Sequence, residues 1–307
     1  MLLAPRGACT SSSRRTAYSD ELQNLAGLQL AGGSLFFQEG EQRVELHPVL
    51  LGEEQGGRCK YALDVSSSEP LVDSGLGSFK ELRSLMPLLP PEELAVAGHA
   101  VSITQWHKNH VFCGKCGEPT QPIEAGGKRQ CVKDHTHREY PRTDPVVIMM
   151  VESPDGSQAL LGRSKKVRAG MYTCLAGFVE QAESIEEAVR REVREEAGIE
   201  LGRVSILGSQ PWPIGRGGSC ELMIGCVAQA TSDALSMDPD EMDDVRWIAK
   251  ADVRKAVETS GQPDNPYLGG RSTTPDGIDF WIPPPFAIAH HLIKAWAEKE
   301  EPWFSRL

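Results

Sequence analysis

Short apolar runs broken by Gly and Pro fill the stretch from about residue 20 to 95. GSLFFQEG, RVELHPVLL and KYALDV predict strands joined by turns, and SFKELRSLM predicts a helical stretch after them. From residue 144 the runs lengthen. VVIMMVE and QALLGRS, separated by the turn-forming SPDGS, predict a β-hairpin. Further strands are expected at VSILGSQ, ELMIGCVAQA and DDVRWIA. Residues 259–280 form a polar Gly/Pro-rich loop, and AIAHHLIKAWAEK has the period of an amphipathic helix. No internal repeat is present.

Between the hairpin and the later strands lies GFVEQAESIEEAVRREVREEAGI (177–199). Ser184 with Glu187 three residues later predicts a capping box, and Gly198 stands where a left-handed C-cap belongs. At about 100° per residue, Ile185, Ala188, Val189, Val193 and Ala197 form the apolar side. Glu192, Glu195 and Glu196 are spaced i, i+3, i+4, and their arc overlaps that of Ile185 and Ala188. Three like charges on a half-buried face repel and are costly to desolvate. Arg191 can neutralise one of them; hard oxygen ligands for Mg²⁺ or Mn²⁺ are the use that suits the rest. Glu186 and Glu187 point elsewhere, into solvent. For an arbitrary helix of this composition, a salt-bridged surface face would be the simpler reading.

Composition narrows the classes. The chain has 307 residues, 40% hydrophobic and 24% charged, the make-up of a globular protein of one or two domains. Its net charge of −11 and lack of a basic stripe argue against a dedicated DNA- or RNA-binding protein. No apolar run approaches the ~18 residues of a membrane span. Of eight cysteines only Cys113, Cys116 and Cys131 are clustered, which fits one metal site in a reducing compartment better than a disulfide framework.

The spacing overturns the surface-helix reading. Gly177, five residues, Glu183, seven residues, then Arg191-Glu192-Val193-Arg194-Glu195-Glu196-Ala197-Gly198-Ile199 resembles the Nudix box in full. YPRTDPVVI (140–148), SQPWP (209–213), WHKNHVFCGKCG (106–117) and IPPPFAIAHHLIKAW (282–296) are similar to the NADH pyrophosphatase branch of Nudix hydrolases, in its plant-type form. The resemblance covers most of residues 96–307. Together with the apolar runs and composition of residues 1–95, it gives an expected α+β chain: a targeting or disordered segment (1–19), an N-terminal β-rich domain (20–95), a zinc-ribbon segment (96–143), a Nudix α/β/α sandwich with a mixed sheet (144–300) and a tail (301–307). The implied activity is metal-dependent cleavage of NADH or NADPH into AMP, or its 2′-phosphate, and reduced nicotinamide mononucleotide, by a homodimer.

Residue by residue, the resemblance makes Glu192 and Glu196 the main metal ligands, and Glu195 a further ligand or the base. It gives Ala176 a carbonyl on the metal, Glu241 a role as a distant metal-binding acid, and Tyr140, Gln210, Trp212 and Ala289 substrate contacts; Trp212 also reads as ordinary core. IGRGGSCE intervenes before Leu222-Met223, which leaves NADH versus NADPH open; Arg216 there reads either as a 2′-phosphate contact or as an exposed loop residue. Cys113-x2-Cys116 and Cys131 suit tetrahedral zinc. Where relatives carry a fourth cysteine this sequence offers His135 and His137, and counting back from Tyr140 favours His135.

Two rival readings stand beside the pyrophosphatase: removal of NAD caps from RNA by the same centre, which the acidic charge weakens, and a non-enzymatic zinc-ribbon interaction module, which the intact box opposes. For the address, Ser305-Arg306-Leu307 resembles a peroxisomal signal read by an import receptor, and the peroxisome is the expected location. Residues 1–19, Arg- and Ser-rich without an acid, resemble a chloroplast or mitochondrial transit peptide instead.

Overall fold

The computed structural model describes residues 28–31, 34–39, 42–53, 59–66, 79–167, 169–261 and 278–304. The N-terminal segment, most of the loop expected at 259–280 and the Ser305-Arg306-Leu307 tail lie outside them. The chain divides into two compact units: residues 1–143 with 213–220, and residues 144–212 with 221–307.

In the first unit, β1 (Leu28–Ala31), β2 (Ser34–Glu39) and β3 (Gln42–Leu46) form an antiparallel sheet, and β4 (Val49–Glu53) pairs with β5 (Cys59–Ala62). The helix expected around SFKELRSLM is one turn, α1 (Leu82–Leu85). It is followed by the longest helix of the described residues, α2 (Pro91–Asn109), which the sequence pattern did not predict. Gly98, Val101, Ile103 and Thr104 are weak helix formers, and the apolar residues of α2 make no clear stripe. Its start is nevertheless well set, with Pro91 in the first turn beside Glu92 and Glu93. Tertiary burial supplies the rest: Ala100, Ile103 and Trp106 pack on Val49 and Ala62. The expected 95/96 boundary falls inside this helix. A third sheet, β6 (Thr120–Ile123), β7 (Lys128–Cys131) and β8 (Arg138–Glu139), completes the unit.

The second unit is a mixed sheet between helices. Its strands are β9 (Asp144–Glu152), β10 (Gln158–Ser164), β11 (Leu175–Phe178), β12 (Leu201–Trp212), β13 (Glu221–Ala230) and β14 (Met242–Ala249), in the order β12-β13-β9-β10-β14 with β11 also on β9. β9 and β13 run parallel, and the other pairs are antiparallel. Strand alternation divides the core. Val147, Met149 and Val151 face α3 (Ile185–Ala197), through its Ala188, Val189, Val193 and Ala197. Ile148 and Met150 face α4 (Lys250–Thr259) and α5 (Ile288–Glu298), through Val253, Ala256, Leu292, Ile293 and Trp296. A central strand covered on both faces has to be apolar throughout, hence VVIMMV. Glu152 ends the run and is fully buried. Its carboxylate accepts hydrogen bonds from the backbone N–H of Trp303 (3.0 Å) and from Trp296 Nε1 (3.3 Å), fastening the chain after α5 to the sheet.

Candidate functional site

Helix α3 starts on the predicted capping box: Glu187 N–H donates to Ser184 Oγ (3.2 Å), and Ser184 N–H to the Glu187 carboxylate (2.8 Å). It ends on Gly198 in the left-handed region (φ 70°). These two stops fix which side chains face the sheet. Glu192 and Glu196 do, each 8% exposed, whereas the Glu195 side chain is 54% exposed and points outward. The three acids expected on one half-buried face are therefore two buried and one at the surface.

Arg191 ties this region together. Its guanidinium donates two hydrogen bonds to Glu183 (2.8 and 2.9 Å) and others to Glu192 Oε1 (2.7 Å), Glu195 Oε2 (3.0 Å) and the Phe178 carbonyl (2.8 Å). The fork geometry of arginine permits this, and lysine could not reproduce it. The arginine holds the Glu183 carboxyl below the ordinary range. Glu192 is pushed the other way: burial, opposed by Arg191 and assisted by the charges of Glu195 and Glu241, raises its pKa. Glu241 thus belongs to the same electrostatic centre. It precedes β14, and its carbonyl accepts from Lys165 N–H (3.4 Å). Ala176 lies in β11, opposite Ile148. The next residue, Gly177, is turned to the α3 face, where a Cβ would overlap the Glu192 carboxylate. Even with Arg191 at 2.7 Å, burial and the charges of Glu195 and Glu241 keep the Glu192 pKa raised, so one guanidinium does not fully offset the negative charge gathered here. The carboxylates of Glu192, Glu195 and Glu241 are hard oxygen donors, the kind that suits a divalent cation.

The residues expected to contact substrate are placed less uniformly. Gln210 is half-buried in β12, with its side-chain amide bonded to the start of α5. Ala289 is buried in that helix, and Trp212 is half-buried at the end of β12. Tyr140 belongs to the first unit and is 59% exposed, with Lys128 Nζ 5.3 Å from its ring centre.

The zinc-ligand expectation needs one correction. Ligand atoms of Cys113, Cys116, Cys131 and His137, not His135, lie within 4.8 Å of one another. The tight turn at 134–137 is the reason. Thr136 N–H donates to Asp134 Oδ1 (2.9 Å), and His137 N–H to the Asp134 carbonyl (3.0 Å). Cys131 N–H then pairs with the His137 carbonyl (3.1 Å), which carries this histidine to the thiols. His137 Nδ1 stands 3.6 Å from Cys113 Sγ, and its Nε2 lies 3.3 Å from Asp134 Oδ2. A carboxylate on the far nitrogen fixes the tautomer that leaves the near one free to bind metal. Asp134 had no signal in the spacing of the cysteines. The Cys₃His set suits a structural zinc.

Three family models match the chain: the NUDIX domain over residues 142–267, the NADH pyrophosphatase-like rudimentary NUDIX domain over 11–106, and the NADH pyrophosphatase zinc ribbon domain over 108–140. The chain belongs to the Nudix hydrolase family, and membership implies a divalent metal. It is similar to Nudix hydrolase 19, chloroplastic, of Arabidopsis thaliana, 42% identical over 250 residues, 72% of this chain and 57% of that protein. The NAD-capped RNA hydrolase NUDT12 of Homo sapiens is 42% identical over 215 residues, 68% of this chain and 42% of that protein. The mitochondrial NAD(P)H pyrophosphatase NUDT13 of Homo sapiens is 34% identical over 277 residues, 86% of this chain and 75% of that protein. The chain thus spans about half the length of the first two.

Proposed function

We propose that this chain hydrolyses the pyrophosphate bond of NADH or NADPH, releasing reduced nicotinamide mononucleotide and AMP or its 2′-phosphate. The observation that carries the proposal is the buried Glu192 carboxylate, raised in pKa beside Glu195 and Glu241 and held by Arg191. The name of the human mitochondrial relative supports the substrate. Glu192 and Glu196 would hold Mg²⁺ or Mn²⁺, with Glu195, Glu241 and the Ala176 carbonyl as further donors. Such ions, when bound, polarise pyrophosphate oxygens and generate a nucleophile from water at neutral pH. The chain's part is positional: Arg191 fixes the Glu192 and Glu195 carboxylates, and Gly177 leaves the space that Glu192 fills. The test is incubation of the purified chain with NADH, NADPH and either metal. Chromatography should resolve the two mononucleotides, and their absence with both metals would overturn the proposal.

Removal of NAD caps from RNA is the second reading, supported by the name of the other human relative. A capped transcript run in the same assay decides it. A homodimer rests on the resemblance alone, and sedimentation tests it. For the address, the names of the plant and mitochondrial relatives support the transit reading of residues 1–19 over the peroxisomal one. Deleting residues 1–19 or 305–307 in tagged chains separates the two.

A further inference from the structure

We propose that Gln210 is a positioning residue that acts on substrate only through the first turn of α5. This rests on the pyrophosphatase reading, in which Ala289 of that turn is a substrate contact.

Helix α5 begins without a cap of its own. Its N-cap is Ala287, which offers no side-chain acceptor, and no local side chain caps the first turn. The three residues at 283–285 are prolines, which have no N–H. The missing cap comes from a strand 78 residues earlier. Gln210 Oε1 accepts from Ile288 N–H at 2.8 Å, and Gln210 Nε2 donates to the Phe286 carbonyl at 2.8 Å. The side-chain amide therefore pairs with residues 286 and 288 much as the backbone of a neighbouring strand would. This pairing sets the plane of the amide, so its orientation belongs to α5.

A second contact fixes the same turn from below. Gly225 of β13 lies under Ile288, and a Cβ there would stand 2.9 Å from Ile288 Cδ1 and 3.3 Å from Leu292 Cδ2. Gln210 thus holds the helix start laterally while Gly225 lets it close onto the sheet. Ala289 follows Ile288 directly in this turn, so a shift of the turn moves the backbone of Ala289 with it.

The decisive variants are Gln210→Met, which keeps the length of the side chain and loses both hydrogen bonds, and Gln210→Glu, which keeps only the acceptor for Ile288. Hydrogen exchange of the metal-loaded full chain without substrate should speed up over residues 286–290 in Gln210→Met. KM for NADH should rise about tenfold, the scale of one or two lost hydrogen bonds, with kcat within about twofold of wild type. Gln210→Glu should recover part of both effects. Unchanged exchange in Gln210→Met would overturn the proposal, because a residue that only touches substrate leaves the free helix as it was. Faster exchange with an unchanged KM would overturn it as well, since the turn would then not be sensed by substrate. A wild-type chain inactive on NADH would instead sink the pyrophosphatase reading, and the exchange result would stand on its own.

Discussion

Gly177 of β11 and Glu192 of α3 occupy one another's space: the carboxylate lies where any side chain at 177 would begin. The glycine that opens the box is therefore not a matter of backbone freedom. It is the floor on which a buried carboxylate rests, 15 residues further along the chain. Gly177→Ala must push Glu192 aside. We expect turnover to drop by about 10²-fold, the usual consequence of displacing a working group by about an ångström, with little change in thermal unfolding. Near wild-type turnover would mean that Glu192 is not needed in its observed place.

Glu196→Gln and Glu192→Gln should each lower turnover by roughly 10²–10³-fold, because each would remove a carboxylate from the proposed metal site while leaving the packing of α3 intact. The check is kcat at saturating Mg²⁺, with circular dichroism to confirm the fold. Glu195→Gln, at an exposed position, should cost less than either.

One zinc per chain should survive purification without added metal and be countable by elemental analysis. Cys116→Ser should lose zinc and lower the unfolding temperature, since binding energy at such a site is folding energy. Between the histidines, His137→Ala should lose zinc and His135→Ala should keep it. The opposite pattern would contradict the turn geometry of 134–137.

His107 gives the first unit a pH dependence. Its Nε2 stands 2.7 Å from the Gly126 carbonyl and its Nδ1 3.0 Å from Arg129 Nη1, so the ring is neutral, donating from one nitrogen and accepting on the other. Burial lowers its pKa, the bond to the Gly126 carbonyl opposes this, and the charges of Arg129, His47 and His110 add to the lowering, so the net shift is downward. An unfolded imidazole titrates near pH 6.5. Below that pH the unfolded chain takes up the proton first. Stability should be complete above about pH 6.5 and decline as the pH falls toward the lower folded value. His107→Gln, which cannot be protonated, should flatten the dependence below about pH 6.5 in thermal melts. An unaltered slope would assign it to another group.

Arg191→Lys should destabilise the chain by about 1–3 kcal/mol, a range reduced for partial exposure, and should also lower turnover. One ammonium cannot bridge Glu183, Glu192 and Glu195 while reaching the Phe178 carbonyl. Thermal melts and kcat read both effects. A variant that keeps its turnover would show that the carboxylates are placed by their rotamers alone.

What the sequence determined by itself was local or periodic. The capping box at Ser184 and Glu187, the left-handed stop at Gly198 and the apolar face of α3 follow from spacings of three, four and seven residues, which a helix reproduces wherever it sits. The uninterrupted VVIMMV run and the Cys113-x2-Cys116 knuckle were legible for the same reason. Tertiary structure decided the rest, because it depends on which distant groups meet. Helix α2 exists through burial against β4 and β5 despite poor local preferences. The wheel put Glu195 with Glu192 and Glu196, but in the packed helix it is exposed and paired with Arg191. Counting favoured His135, and the turn at Asp134 presents His137. Gln210 read as a substrate contact, and only the packing of β12 beside α5 shows its amide paired with Phe286 and Ile288. A periodic pattern fixes the direction of a side chain relative to its own element, whereas its partner is fixed only when two elements pack.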